Sequence, residues 1–195
     1  AYPELWLSEV QPENVTGLKD NAGDNDPWIE LYNGGDSALS LDGFHLANNY
    51  SSLSQWAFPA GTSIGAGEFL LVWADNELAE TTAAALHANF RLAPTNGSVV
   101  LSRQVNGAPQ IVDYLTYAGV KADRSYGASP DGQSSYRQDF FYVTPGTTNN
   151  PAAEPVTLFI NEWMAANASF IRDPADQDFD DWIEIYNPAT NTVDL

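Results

Sequence analysis

Apolar and polar residues alternate with a period of two along most of this chain, which is the pattern of strands that bury one face. In the opening segment Leu5, Leu7 and Glu9 fall on one side, and Trp6, Ser8 and Val10 on the other. Farther on, Ile29, Leu31 and Asn33 oppose Trp28, Glu30 and Tyr32. Runs rich in β-branched and aromatic residues predict further strands over 39–41, 43–47, 55–58, 68–74, 98–103 and 110–117. Turn clusters such as Asn33-Gly34-Gly35-Asp36 and Gly65-Ala66-Gly67 separate them. Asn106-Gly107 lies between two apolar runs and supplies the positive φ angles that a tight hairpin needs. One stretch departs from the pattern: residues 77–86, rich in alanine with an acidic first turn, predict one short helix. Short strands with regular turns predict an all-β fold, a sandwich or a barrel.

The pattern starts twice. Leu5-Trp6-Leu7-Ser8-Glu9 followed by Trp28-Ile29-Glu30-Leu31-Tyr32-Asn33 returns as Leu158-Phe159-Ile160-Asn161-Glu162 followed by Trp182-Ile183-Glu184-Ile185-Tyr186-Asn187. Leu195 then matches Leu41, so the reading is one whole module over 1–150, a proline-bearing linker over 151–156, and a truncated second copy over 157–195. A module of about 150 residues is large enough for its own core, whereas the second stretch is not. Its strands are expected either to extend a sheet of the first module or to pair with the same segment of another molecule, making a homo-oligomer. The chain opens at Ala1 and is read as a fragment of something longer.

Charge narrows the partners. Seven Lys and Arg stand against 26 Asp and Glu, a formal net charge of -19 spread along the chain. Nucleic acid is not expected as a partner, because phosphate binding needs clustered basic residues. Anionic membrane surfaces are disfavoured for the same reason, and the sequence has no apolar run long enough to insert into a bilayer. There is no cysteine, which removes disulfides, thiol catalysis and thiolate metal sites and suits a bacterial secreted protein.

The order of several short motifs resembles that of a family. Leu7-Ser8-Glu9, an acidic loop and Trp28-Ile29-Glu30-Leu31-Tyr32-Asn33 come first, then Gly43-Phe44, Trp56 with Phe58-Pro59, and Ala66-Gly67-Glu68. Val72-Trp73-Ala74, Ser125-Tyr126-Gly127 and Thr144-Pro145-Gly146 follow. In order and spacing they resemble a lamin tail domain of the bacterial kind over nearly all of residues 4–150, restarting at 157. The resemblance implies an immunoglobulin-like β-sandwich with no catalytic residues. It also implies an extracellular or cell-surface setting in large bacterial proteins, as an adhesion, spacer or interaction module. Its partners would be a protein or polysaccharide surface and neighbouring modules of the same chain. Lamins also carry a coiled-coil rod, and no heptad pattern is present here.

Three sets of residues are candidates for chemistry. Calcium is bound by six to eight oxygens, usually carboxylates and carbonyls of a loop. The loop carboxylates Asp20, Asp24 and Asp26, and their counterparts Asp173, Asp176, Asp178 and Asp180, offer such oxygens. The competing account is that these are solvated turn residues. Glu9 and Glu30, repeated as Glu162 and Glu184, form a carboxylate pair of the kind that cleaves glycosides, the reading behind a calcium-dependent hydrolase. Against it, both lie on strands of a small sandwich and suggest no cleft. Trp28 and Tyr32, with Trp182 and Tyr186, share a strand face where rings could stack on sugar or receive a neighbouring module, the reading behind a carbohydrate-binding accessory domain. Equally, large rings fill a sandwich core. His45 and His87 form no sequence cluster of zinc-ligand spacing.

Overall fold

The fold described here is that of a computed structural model, which describes residues 2–190 and 192–193. Leu195, the sequence counterpart of Leu41, lies outside the described residues. The chain forms two compact units, 1–153 and 154–195.

In the first unit the alternating segments form strands, and their apolar faces meet between two sheets. β1 (Leu5–Gln11), β2 (Trp28–Asn33), β7 (Phe69–Trp73), β8 (Leu86–His87), β11 (Ser125–Ala128) and β12 (Arg137–Phe140) make one sheet in the order β12-β11-β1-β2-β7-β8. β4 (Phe44–Ala47), β5 (Trp56–Ala57), β9 (Asn96–Val105) and β10 (Ala108–Ala118) make the other, ordered β10-β9-β4-β5. β3 (Leu39–Ser40) and β6 (Ser63–Ile64) form a small separate ladder. Leu5, Leu7, Ile29, Leu31 and Val72 from the first sheet pack with Leu46, Trp56, Val99, Leu101, Leu115 and Tyr117 from the second. Burying side chains of this size stabilises by about 1.5–3 kcal/mol each, and this packing holds the sandwich closed. The buried Asp113 of β10 reinforces it: its Oδ2 accepts from the backbone N–H of Leu7 at 2.9 Å and from Nη2 of Arg137 at 2.7 Å. The architecture is the immunoglobulin-like β-sandwich that the alternation and the family resemblance predict.

The hairpin at Asn106-Gly107 forms as expected. Asn106 and Gly107 have φ of 51° and 80°, and Val105 faces Ala108 directly across the turn. Two expectations need correction. The predicted helix over 77–86 reduces to a single 3-10 turn, Leu78–Glu80. Beyond it the Thr82 hydroxyl accepts from the backbone N–H groups of Ala84 and Ala85, which gives the backbone a turn in place of helical bonds. The segment then enters β8, parallel to β7. A helix of ten residues with no packed face is marginal in water, so local hydrogen bonds decide the outcome.

The second correction concerns β1, where strict alternation fails. Leu7 pairs with Leu31, but Glu9, and not Ser8, pairs with Glu30. Ser8 is therefore the extra residue of a β-bulge, and the strand changes phase there. Val10 rejoins Leu5 and Leu7 in the core, while Glu9 moves to the side of Glu30.

The second unit contains β13 (Phe159–Met164) and β14 (Trp182–Tyr186), antiparallel. Glu162 faces Glu184 and a bulge falls between Ile160 and Glu162, the same register and interruption as in β1 and β2. The connecting loops also match. Asn14 donates to the carbonyls of Leu18 and Asp26, and Asn167 donates to those of Ile171 and Asp180. What differs is burial: Ile160, Ile183 and Ile185 are more than half exposed, whereas Leu7, Ile29 and Leu31 are wholly buried.

Candidate functional site

Two clusters of carboxylates stand out, and both grow from the β1–β2 pair. The loop between these strands is shaped by its own polar side chains. Asn14 accepts from Gly17 N at 2.9 Å while donating to the two carbonyls noted above. Oδ1 of Asp20 accepts from the backbone N–H groups of Ala22, Gly23 and Asp24 at 2.7–2.9 Å. Desolvation works against the charged form of Asp20, but these three donors outweigh it and hold the carboxyl below its usual range. One oxygen is thus committed to the loop, and Oδ2 is left buried with no hydrogen-bond partner.

The connection leaving β7 brings more acids to the same place. Asp75 is buried and accepts from Glu77 N at 3.0 Å and from Nδ1 of His87 at 2.6 Å. The other ring nitrogen of His87 lies 2.8 Å from Oδ1 of Asn21, whose amide donates to the Glu80 carbonyl. Arg91 reaches Oδ1 of Asp26 at 2.6 Å. Asp20, Asp26, Asp75 and Glu77 each place one oxygen within 4.8 Å of the other three, and Asp20, Glu80 and His87 form an overlapping group on the same criterion. Glu80 Oε2 is a second buried oxygen without a partner. Desolvation, then the charge of Glu77, then Asp20, push the Glu80 carboxyl up. Desolvation, then Asp26 and Asp75, do the same to Glu77.

The structure thus joins two of the three loop residues named from sequence and adds others. Asp24 is exposed and contributes its backbone to the loop, and its carboxylate is not among the grouped oxygens. Asp75, Glu77 and Glu80 were missed, and His87 was set aside, because a separation of roughly 50 to 65 residues from the loop hides that β7 and β8 follow β2 in the sheet. The one local signal was the acidic run Asp75-Asn76-Glu77 with Glu80, which reads equally well as the first turn of a helix. In the second unit Asp173, Asp176 and Asp180 group together while remaining exposed, and Asp178 stays outside that group.

The second cluster is the glutamate pair. Glu9 and Glu30 are wholly buried. Ser125 Oγ donates to Glu9 Oε1. Thr144 approaches the same carboxylate with its N–H at 3.3–3.4 Å and its hydroxyl at 3.3 Å. Gly146 N donates to Glu30 Oε2, while Glu30 Oε1 has no partner. Asn149 closes the arrangement by donating to Ser8 O at 3.1 Å and Ala128 O at 2.8 Å, so the carbonyl at the bulge is satisfied. Burial pushes the Glu9 carboxyl up to about 7, partly offset by the donors from Ser125 and Thr144. Burial pushes Glu30 up to about 8, with Gly146 opposing and the charges of Glu9 and Asp131 adding to it. Perturbed acids of this kind often mark catalytic sites. Here both carboxyls are sealed beneath residues 144–149, and neither is exposed for a sugar to approach.

The ring face also needs correction. Trp28 is wholly buried, with its Nε1 donating to Gln11 Oε1 at 2.7 Å, and so offers no exposed platform. Tyr32 is half-buried against Phe69, ring centroids 4.8 Å apart. In the second unit Trp182 is partly covered, with Nε1 buried and unpartnered, and Tyr186 is 53% exposed. Met164 stands where Gln11 stands in the first unit, so no side-chain amide is there to receive the Trp182 indole.

Fold and site together define an immunoglobulin-like β-sandwich. The chain belongs to the lamin tail domain family, which it matches over residues 3–119. The match stops short of β11 and β12, which complete the six-stranded sheet, and of the segment that covers the glutamates. Comparison with the curated proteins finds no match to this chain.

Proposed function

We propose that this chain is a non-catalytic spacing and interaction module of a larger extracellular bacterial protein, presenting a surface to a protein or polysaccharide partner. One observation carries the reading. A hairpin with the same sequence pattern, register, bulge and asparagine-anchored loop is built in both units, which is how strings of repeated modules are made. The second unit repeats the β1–β2 hairpin of the first. The covered glutamates support a non-catalytic role, and the acidic, cysteine-free composition suits an extracellular bacterial setting. The carbohydrate-binding alternative relied on an exposed ring platform, which Trp28 does not provide.

Limited proteolysis tests the modular part. Cleavage is expected within residues 151–157, leaving a first unit whose thermal midpoint equals that of the intact chain. A first unit that melts earlier after cleavage would refute independence. Turnover of a panel of glycosides that disappears in a Glu9→Gln/Glu30→Gln variant would refute the non-catalytic part.

A further inference from the structure

We propose that the crevice between the β1–β2 loop and the β7–β8 connection is a divalent-cation site of the calcium class, with Asp20, Asp26, Asp75 and Glu77 supplying its carboxylate ligands and Glu80 flanking Asp20. The site stands independently of the spacing role.

Four carboxylates with oxygens mutually within 4.8 Å repel one another unless positive charge lies among them. Arg91 answers Asp26, and His87 lies against Asp75. Asp20 Oδ2 and Glu80 Oε2 are both buried and receive no backbone N–H, hydroxyl or cationic donor; the two carboxyls face only each other. A buried oxygen left without a donor is destabilising, the more so when charged. Here two such oxygens come from segments sixty residues apart in sequence and face one another beside a carboxylate cluster. Asp20 is held in this pose by three backbone donors on its other oxygen, so the loop spends its hydrogen bonds on aiming Oδ2.

The donor chemistry selects the ion. Four carboxylate oxygens mutually within 4.8 Å are near enough to ligate one ion, and calcium takes six to eight such oxygens in a flexible shell. Magnesium at about 2.0–2.1 Å demands a smaller and more regular shell. Zinc favours nitrogen and sulfur, but there is no cysteine and both ring nitrogens of His87 already face Asp75 and Asn21. The second unit acts as an internal comparison. It repeats the loop carboxylates Asp173 and Asp180, and there the grouped acids Asp173, Asp176 and Asp180 are all exposed.

The test uses the intact chain. Terbium, a calcium mimic, is titrated while Trp fluorescence is excited. The Trp73 ring stacks on His87 with centroids 6.4 Å apart, close enough to the crevice to sensitise the ion. Calcium should quench this signal by competition, and thermal unfolding in calcium should have a higher midpoint than in chelator. A Glu77→Gln/Glu80→Gln variant, which removes two charges while keeping side-chain shape so that folding is preserved, should bind calcium at least about tenfold more weakly, since carboxylate count sets affinity. An Asp173→Asn/Asp176→Asn variant should bind as the parent does. Three results would overturn the proposal. One is a midpoint indifferent to calcium. Another is a calcium effect that survives the first variant and is lost in the second. The third is a rise in midpoint in chelator on Glu80→Gln without any calcium response, which would mean that Asp20 and Glu80 share a proton in place of a metal ion.

Discussion

Replacing Glu30 with glutamine is expected to make the first unit less sensitive to rising pH. The Glu30 carboxyl is wholly buried and pushed from 4.5 to about 8, chiefly by that burial. Its folded value lies above its unfolded one, so the fold favours the protonated acid. That contribution is complete below the unfolded value of 4.5 and is lost as pH climbs through about 8. At 1.36 kcal/mol per unit, linkage gives a loss of about 2.5 kcal/mol between pH 5 and pH 7 for Glu30 alone. Glu9, raised to about 7, acts in the same direction. Glutamine mimics the protonated acid: its carbonyl can accept from Gly146 N as Glu30 Oε2 does, and it carries no charge. Urea unfolding of both proteins at a series of pH values measures the difference. Between pH 5 and 7 the variant should gain on the parent by about 2.5 kcal/mol, in roughly equal parts below and above pH 6. Parallel pH profiles would refute the argument, and so would a variant that loses ground as pH rises.

Other substitutions probe the same framework. Asn149→Ala removes donors to Ser8 O and Ala128 O from a residue only 5% exposed, and should cost about 2–3 kcal/mol in chemical denaturation. Gly127→Ala would place a Cβ 2.2 Å from Ser8 O and 2.9 Å from Glu9 Cα, both backbone, so an expected loss of about 2–4 kcal/mol should show as a lowered midpoint. Trp28→Ala should destabilise by about 3–5 kcal/mol, as a core truncation does, whereas a ring on a free binding face would cost little.

Much of the sandwich could be read from the alternation, because burial of one strand face imposes a period of two wherever the ladder is regular. The reading of β1 failed at Ser8 since a bulge leaves no mark on composition; it is visible only in which residues pair. β11 and β12 were missed because Ser125–Ala128 and Arg137–Phe140 are short and polar, and are held by neighbouring strands more than by their own faces. Trp28 alternated onto a face that looked open, but later residues cover the sheet there and the indole finds Gln11 beside it. Half of the acidic crevice was legible as a loop rich in aspartate. The other half required the parallel pairing of β8 with β7, a long-range contact that no local pattern encodes.

The position of Asn149 has a mechanical consequence. This residue bridges Ser8 and Ala128 close to where the chain leaves the first unit, and Thr144 and Gly146 bind the glutamates of the first two strands. A pull along the chain, entering at β1 and leaving past Asn149, is therefore carried across this small polar lock and bypasses the apolar interior. In a string of such modules under tension, each lock would bear load directly, and the sandwich behind it would feel force only after its own lock had given way.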